Sequence, residues 1–165
     1  MLDQYAQRLL DEFACRRLIE AYWYLESRRD ADALADLFTA DGRWGSATGR
    51  EELVTQAQGF FTMMAGIAQN PTGFAGVDLR VDGDHATGFV HAIAHLVVPR
   101  DGGPTTIVVV DAVYDLEFRR EAGEWRIARM CGLADPSAPH DATFQFEAPA
   151  TAIDFGMPAA SVVHG

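Results

Sequence analysis

The hydrophobic pattern changes period once along the chain, and that switch restricts the fold more than any other feature. Before Asn70-Pro71 apolar residues recur at helical spacing; after it they alternate. The stretch from Leu2 to Arg28 holds no Pro or Gly, and Leu9, Phe13, Leu18, Tyr22 and Leu25 form its expected buried stripe. Asp30 has the chemistry of an N-cap for a short helix burying Leu34, Leu37 and Phe38, which Asp41-Gly42 should end. Arg43 to Ala47 reads as a short extended piece carrying Trp44. A third helix is expected from about Arg50 to Met64, burying Leu53, Val54, Ala57, Phe60, Phe61 and Met64.

Beyond the switch, Val77–Val81, Ala86–Val98, Thr105–Arg119 and Trp125–Gly132 read as strands. Asp82-Gly83-Asp84 has the composition of a tight hairpin turn, and Glu121–Glu124 forms another. Neighbouring strands of this kind make an antiparallel meander. Helices first and strands after is the α+β class, with the helices packed on one face of the sheet. Residues 1–133 are expected to form this domain. Residues 134–165, with four of the seven prolines, are expected to form an irregular arm lying on the domain or on a partner subunit.

Charge and composition exclude several functions. Arg supplies all 13 positive charges against 24 acidic residues, so the net charge is −11. Nucleic acid and anionic membrane surfaces are disfavoured as partners. With no Lys, Schiff-base chemistry and a Walker A loop are absent. Cys15 and Cys131 make no disulfide framework, and the acidic N-terminus does not read as a signal peptide, so a cytoplasmic protein is expected. No run approaches a membrane span. Neither a nucleotide-binding glycine motif nor a nucleophile elbow is present, and no metal or cofactor is expected.

Strand alternation sorts the candidate site residues. In Thr105–Arg119, Asp111, Asp115 and Glu117 share one face and should lie near water, so Tyr114, Leu116 and Phe118 should face the helices. In Ala86–Val98 both faces are apolar: Phe89, His91, Ile93 and His95 on one, Val90, Ala92, Ala94 and Leu96 on the other. Trp125 and Ile127 read as core, and Arg129 shares their parity at the rim.

The segments Ala21-Tyr22, Asp30 to Leu34, Leu37 to Gly42, Gly49 to Leu53, Val81 to Ala86 and Trp125 to Arg129, in that order, resemble the SnoaL-like branch of the nuclear-transport-factor-2-like superfamily. That branch is similar to polyketide cyclases, ketosteroid isomerase, scytalone dehydratase and bile-acid 7α-dehydratase. The resemblance implies a cone in which a curved sheet wraps long helices around a pocket. It implies that Tyr22 is a pocket tyrosine, that Ser46 stands where the isomerase has its carboxylate base, and that Tyr114 lies near a second oxyanion donor. It also implies that Phe89, His91, Ile93 and His95 line the concave face.

The expected function is then a cofactor-free acid–base enzyme, a cyclase, dehydratase or isomerase, acting on a hydrophobic oxygenated molecule of polyketide or steroid type. His91 and His95 would exchange protons, and Tyr22 and Tyr114 would stabilise an oxyanion. Trp44, Ser46, Phe60, Phe89, Ile93 and Leu116 would bind the substrate. His91 and His95, four apart on a strand, lie roughly 13 Å apart and do not form a helical zinc pair. Glu26 could reach the pocket mouth. One alternative is a non-catalytic binding or structural subunit, such as the small subunit of a ring-hydroxylating dioxygenase. Another is an epoxide hydrolase or cyclase, which would need a carboxylate inside the cone. Two-sided apolar strands imply a homodimer.

Overall fold

The computed structural model describes residues 2–98, 106–133 and 144–147. The first helix, α1 (Leu2–Arg28), has the expected bounds but buries a different stripe. Cys15, Ile19, Tyr22, Trp23 and Glu26 face the sheet, whereas Leu9 and Phe13 are exposed. These buried positions recur at i, i+4, i+7, i+8 and i+11, which is one helical face. The helix stops where Arg29 takes a positive φ of 57°. The Arg29 guanidinium then donates to the carbonyls of Met64 and Ile67 at 2.8 and 3.1 Å, joining the ends of α1 and the third helix.

Asp30 caps α2 (Ala31–Ala35) as expected: its carboxylate accepts the Ala33 N–H at 3.0 Å. Leu34 is fully buried. Phe38 belongs instead to β1 (Phe38–Trp44), a strand that runs through Asp41-Gly42 rather than stopping there. Gly42 permits this, because a Cβ at that position would lie 2.8 Å from the Phe38 Cβ and 2.9 Å from the Thr39 carbonyl oxygen. A Gly45-Ser46 turn leads to β2 (Ala47–Thr48) and α3 (Gly49–Met63), which buries Leu53, Ala57 and Phe61.

The second half is the expected meander with longer strands. It comprises β3 (Ala68–Asp82), β4 (His85–Val98), β5 (Thr106–Glu121) and β6 (Glu124–Leu133). β3 extends through Asn70-Pro71, where a break was expected. Asp82 pairs with His85 across Gly83-Asp84, and Glu121 pairs with Glu124 across Ala122-Gly123. Ala122 and Gly123 both have positive φ, as a two-residue hairpin turn matching strand twist demands.

The sheet order is β2-β1-β6-β5-β4-β3. β1 lies parallel to β6 and the other pairings are antiparallel, so the sheet is mixed. A further strand, β7 (Phe144–Glu147), pairs antiparallel with Thr106–Val109 of β5. The rest of the expected arm, 134–143 and 148–165, lies outside the described residues. The helices fill the concave side of this curved, unclosed sheet, giving a cone-shaped α+β fold.

The core places Val90 and Ala92 of β4 with Leu116 and Phe118 of β5, all at most 4% exposed. The strands pair Val90 with Tyr114 and Gly88 with Leu116, so even-numbered residues of both strands share the inner face. This corrects the expected face of β4: Phe89, His91, Ile93 and His95 lie on the outer side. Asp115 and Glu117 also lie there, as expected. The side chain of Asp111 is outside the described residues.

In β6, Trp125 and Ile127 are buried, but Arg129 does not share their face. Phe118 pairs with Ile127 while Glu117 pairs with Arg129, so Ala128 is an extra residue in the ladder. This bulge turns Met130 inward and Arg129 outward, where its guanidinium bonds Glu117 at 2.9 Å and also Asp115.

Candidate functional site

Tyr22 stands at the centre of an aromatic cluster inside the cone. Its ring meets those of Trp23, Trp44 and Phe38 at centroid distances of 4.8, 5.8 and 6.5 Å. Trp44 in turn meets Phe60 at 6.4 Å, and Trp23 meets Tyr114 at 5.3 Å. The interplanar angles run from 61° to 88°, all edge-to-face. Four elements supply these rings: α1 gives Tyr22 and Trp23, β1 gives Phe38 and Trp44, α3 gives Phe60, and β5 gives Tyr114. Tyr22 is 3% exposed, whereas Trp44, Phe60 and Tyr114 are only partly buried.

Two polar features lie at this cluster, hereafter the aromatic chamber. Among the described residues no hydrogen bond reaches the Tyr22 hydroxyl, although it is a buried donor. A buried hydroxyl left without any partner costs about 1–3 kcal/mol. The second is Glu26, one turn along α1 from Tyr22 and only 9% exposed. Its charge acts on both tyrosines. Burial, and then the Glu26 carboxylate, push the Tyr22 hydroxyl well above the usual phenol range; the same two causes raise Tyr114. Both phenols are therefore neutral at physiological pH and can donate a hydrogen bond.

The structure brings Tyr22, Tyr114, Trp44 and Phe60 together and sets the other expected site residues apart. His91 and His95 lie on the outer face of β4, on the far side of the sheet from Tyr22, so the imidazoles and that hydroxyl do not share a chamber. Phe89 is 51% exposed on that same outer face, with Ile93. Leu116 faces inward but is sealed in the core at 1% exposure. Ser46 is exposed in its turn and opens with Glu51, Thr55 and Gln56 onto a cleft of about 610 Å³ along α3. The buried carboxylate nearest Tyr22 along α1 is Glu26. The signal for it was helical: Glu26 continues the Cys15, Ile19, Tyr22 stripe.

A second cleft, of about 620 Å³, lies between α1 and the β5–β6 turn, beside Phe13, Leu18, Arg120 and Trp125. Asp11 holds this region together. It accepts from the Trp125 indole at 2.9 Å, from Arg120 and from Gln7. Burial raises its pKa, but these three donors outweigh burial and hold the carboxyl below its usual range. Cys15 next to it is a fully buried thiol pushed up to about 12, first by burial and then by the Asp11 charge. Such a thiol is a poor nucleophile. No three metal-ligating side chains cluster among the described residues.

Residues 7–131 match the SnoaL-like domain family. The chain belongs to that family. SnoaL-like members include cyclases, dehydratases and isomerases. Among solved structures, the chain is similar to an NTF2-like protein with a cystatin-like fold from Novosphingobium aromaticivorans. Identity there is 28% over 83% of this chain and 90% of that one, with a TM-score of 0.65. A protein from the same organism, provisionally named an aromatic ring hydroxylase, is 26% identical over 75% of this chain and 88% of that one, with a TM-score of 0.59. A third, provisionally named a scytalone dehydratase and also from N. aromaticivorans, is 19% identical over 96% and 99%, with a TM-score of 0.60, and supports the fold alone. None of the curated proteins matches the chain. Among the described residues no helix is long and apolar enough to cross a membrane.

Proposed function

We propose that this SnoaL-like protein is an acid–base enzyme, a dehydratase, isomerase or cyclase, acting on a hydrophobic oxygenated compound of polyketide or steroid type without a cofactor. The observation that supports this reading best is the buried Tyr22 hydroxyl with no hydrogen-bond partner among the described residues, set one helical turn from a buried carboxylate. A substrate oxygen would give that hydroxyl a partner. As a neighbouring C–H bond gives its proton to Glu26, charge builds on that oxygen and Tyr22 donates to it. Tyr114 donates from the facing strand. The rings of Trp23, Trp44 and Phe60 hold the carbon skeleton and exclude water, which strengthens both interactions.

Exchange of α-protons in D2O, followed by NMR on a panel of hydroxylated tetralones, tests this without the natural substrate. The wild-type protein should accelerate exchange for at least one member. Tyr22→Phe and Glu26→Gln should each lower that rate about 100-fold or more with an unchanged circular dichroism spectrum. Wild-type rates in both variants would remove the basis for the assignment.

Glu26 also favours a second reading, epoxide opening, since it is the interior carboxylate that such a hydrolase or cyclase needs. Turnover of hydrophobic epoxides with no tetralone exchange would select it. A homodimer formed through the outer face of β4 and β5 is supported by the exposure of Phe89 and Val113 there. Light scattering on the eluted protein checks this directly. A cytoplasmic setting agrees with Cys15 and Cys131, both free thiols.

A further inference from the structure

We infer that the solvent side of the first half of α1 pairs antiparallel with the same helix of a second copy of this chain. This interface is separate from the outer face of β4 and β5, and independent of the chemistry at Tyr22.

α1 carries apolar residues on two opposite sides. Cys15, Ile19 and Tyr22 turn toward the sheet. On the far side Asp3, Ala6, Leu10, Phe13 and Arg17 recur at alternating steps of three and four, the seam spacing of two packed helices. All five are exposed, Leu10 and Phe13 at 61% each. Every residue from Asp3 to Leu10 is exposed, so the first turns of α1 stand clear of the core. A helix end of this kind is marginal in water and gains from packing. At the other end of the same seam lies the cleft of about 620 Å³ beside Phe13, Ala14, Arg17, Leu18 and Ala21, walled by Trp125.

Read in opposite directions, the seam complements itself. In an antiparallel pair centred between Leu10 and Phe13, each Leu10 meets the second copy's Phe13, which makes two apolar layers related by a two-fold axis. Each Arg17 then lays its stem beside the second copy's Ala6, where the small side chain leaves room for it. The Arg17 guanidinium, held by Glu20 of its own helix at 2.6 Å, reaches toward the second copy's Asp3, one turn from that Ala6. The uncovered first turns of each copy enter the cleft of the other, so projection and cleft satisfy one another. A parallel pair would set Arg17 against Arg17 and Asp3 against Asp3 and leave both clefts open. Charge permits the approach: from Asp3 to Ala21 four acids stand against three arginines, in a chain whose net charge is −11. The match of each position with its mirror position on the same segment makes the occupant a second copy rather than a foreign helix.

Sedimentation velocity on the full chain at concentrations up to about 200 μM tests this. Leu10→Glu and Phe13→Glu, both at exposed positions, should each weaken self-association about tenfold or more with an unchanged circular dichroism spectrum. Arg17→Glu should weaken it about threefold, and adding Asp3→Arg to that variant should restore it, a rescue that misfolding would not give. Disulfide trapping reads the direction. In a Cys131→Ser background, Leu10→Cys protein mixed with Phe13→Cys protein should cross-link under oxidised glutathione, and Leu10→Cys protein alone far less. Faster cross-linking of Leu10→Cys alone overturns the antiparallel pair. Phe89→Asp separates the two interfaces. If it lowers the mass and neither Leu10→Glu nor Phe13→Glu does, the outer-face dimer stands and this inference falls. If the two α1 variants lower the mass and Phe89→Asp does not, this inference stands and the outer-face dimer falls. A wild-type monomer at about 200 μM overturns both.

Discussion

The two faces of β4 and β5 are built from the same few residue types and behave as opposites. The inner face carries Val90, Ala92, Leu116 and Phe118 at near-zero exposure, with Tyr114 reaching the aromatic chamber. The outer face carries Phe89 and Val113 at 51% and 36% exposure, His91, Ile93, and the Asp115 and Glu117 carboxylates that pair with Arg129 of β6. Residue type does not distinguish the faces; helix cover does. An apolar side chain under α1 is core, and the same side chain one residue along is surface or interface.

Truncation measures that contrast most sharply. Phe118→Ala should cost about 3–5 kcal/mol in urea unfolding, and Phe89→Ala less than about 1 kcal/mol in the monomer. Equal costs would mean that the outer face is as fully covered as the inner one. Asp11→Asn comes next, because it weakens a buried network that ties α1 to the hairpin of β5 and β6. A loss of about 1.5–3 kcal/mol at pH 7 is expected. Since the Asp11 pKa is lowered in the folded state, its contribution is present above about pH 4 and disappears as pH falls through the folded value. The variant should therefore show a flatter acid limb in thermal melts.

The alkaline limb reports the inner face as well. Cys15 and Tyr22 both hold their protons to higher pH when folded than when unfolded. Their contribution is complete below about pH 9 and is lost as pH rises beyond the ordinary thiol and phenol ranges, for Cys15 up to about 12. Cys15→Ala and Tyr22→Phe should each flatten the fall in melting temperature across that window. The smallest effect belongs to His91. Placed across the sheet from the chamber, it has no route to the reacting atoms, so His91→Ala should leave tetralone exchange within about threefold of wild type. A loss as large as that of Tyr22→Phe would contradict the placement of the two faces.

Much of this was legible from residue order. The period switch, the Asp30 cap, the meander and both tight turns come from local chemistry, and Tyr114 was directed inward by the acids at Asp115 and Glu117. The face of β4 was not legible. Both of its sides are apolar, and the connection from Val98 to Thr106 is too long for a tight turn to set the register. Family position then favoured the histidines, and the pairing of Val90 with Tyr114 decides against them. Arg129 was misplaced for a different reason: an inserted residue at Ala128 reverses the count beyond it, and nothing local announces a bulge. Glu26 was undervalued because a carboxylate on a helix is ordinarily solvated. The depth of α1 within the cone buries this one.

The parallel seam between β1 and β6 has a consequence for biogenesis. Phe38 rests beside Ile127, roughly 90 residues later, and Leu37 accepts the Ile127 N–H at 2.9 Å. Trp44 sits on the early partner of that seam. A nascent chain therefore cannot close the wall of its binding space until the last long strand has left the ribosome, and a product ending before residue 127 would carry every aromatic of the cluster without the enclosure that gives them a purpose.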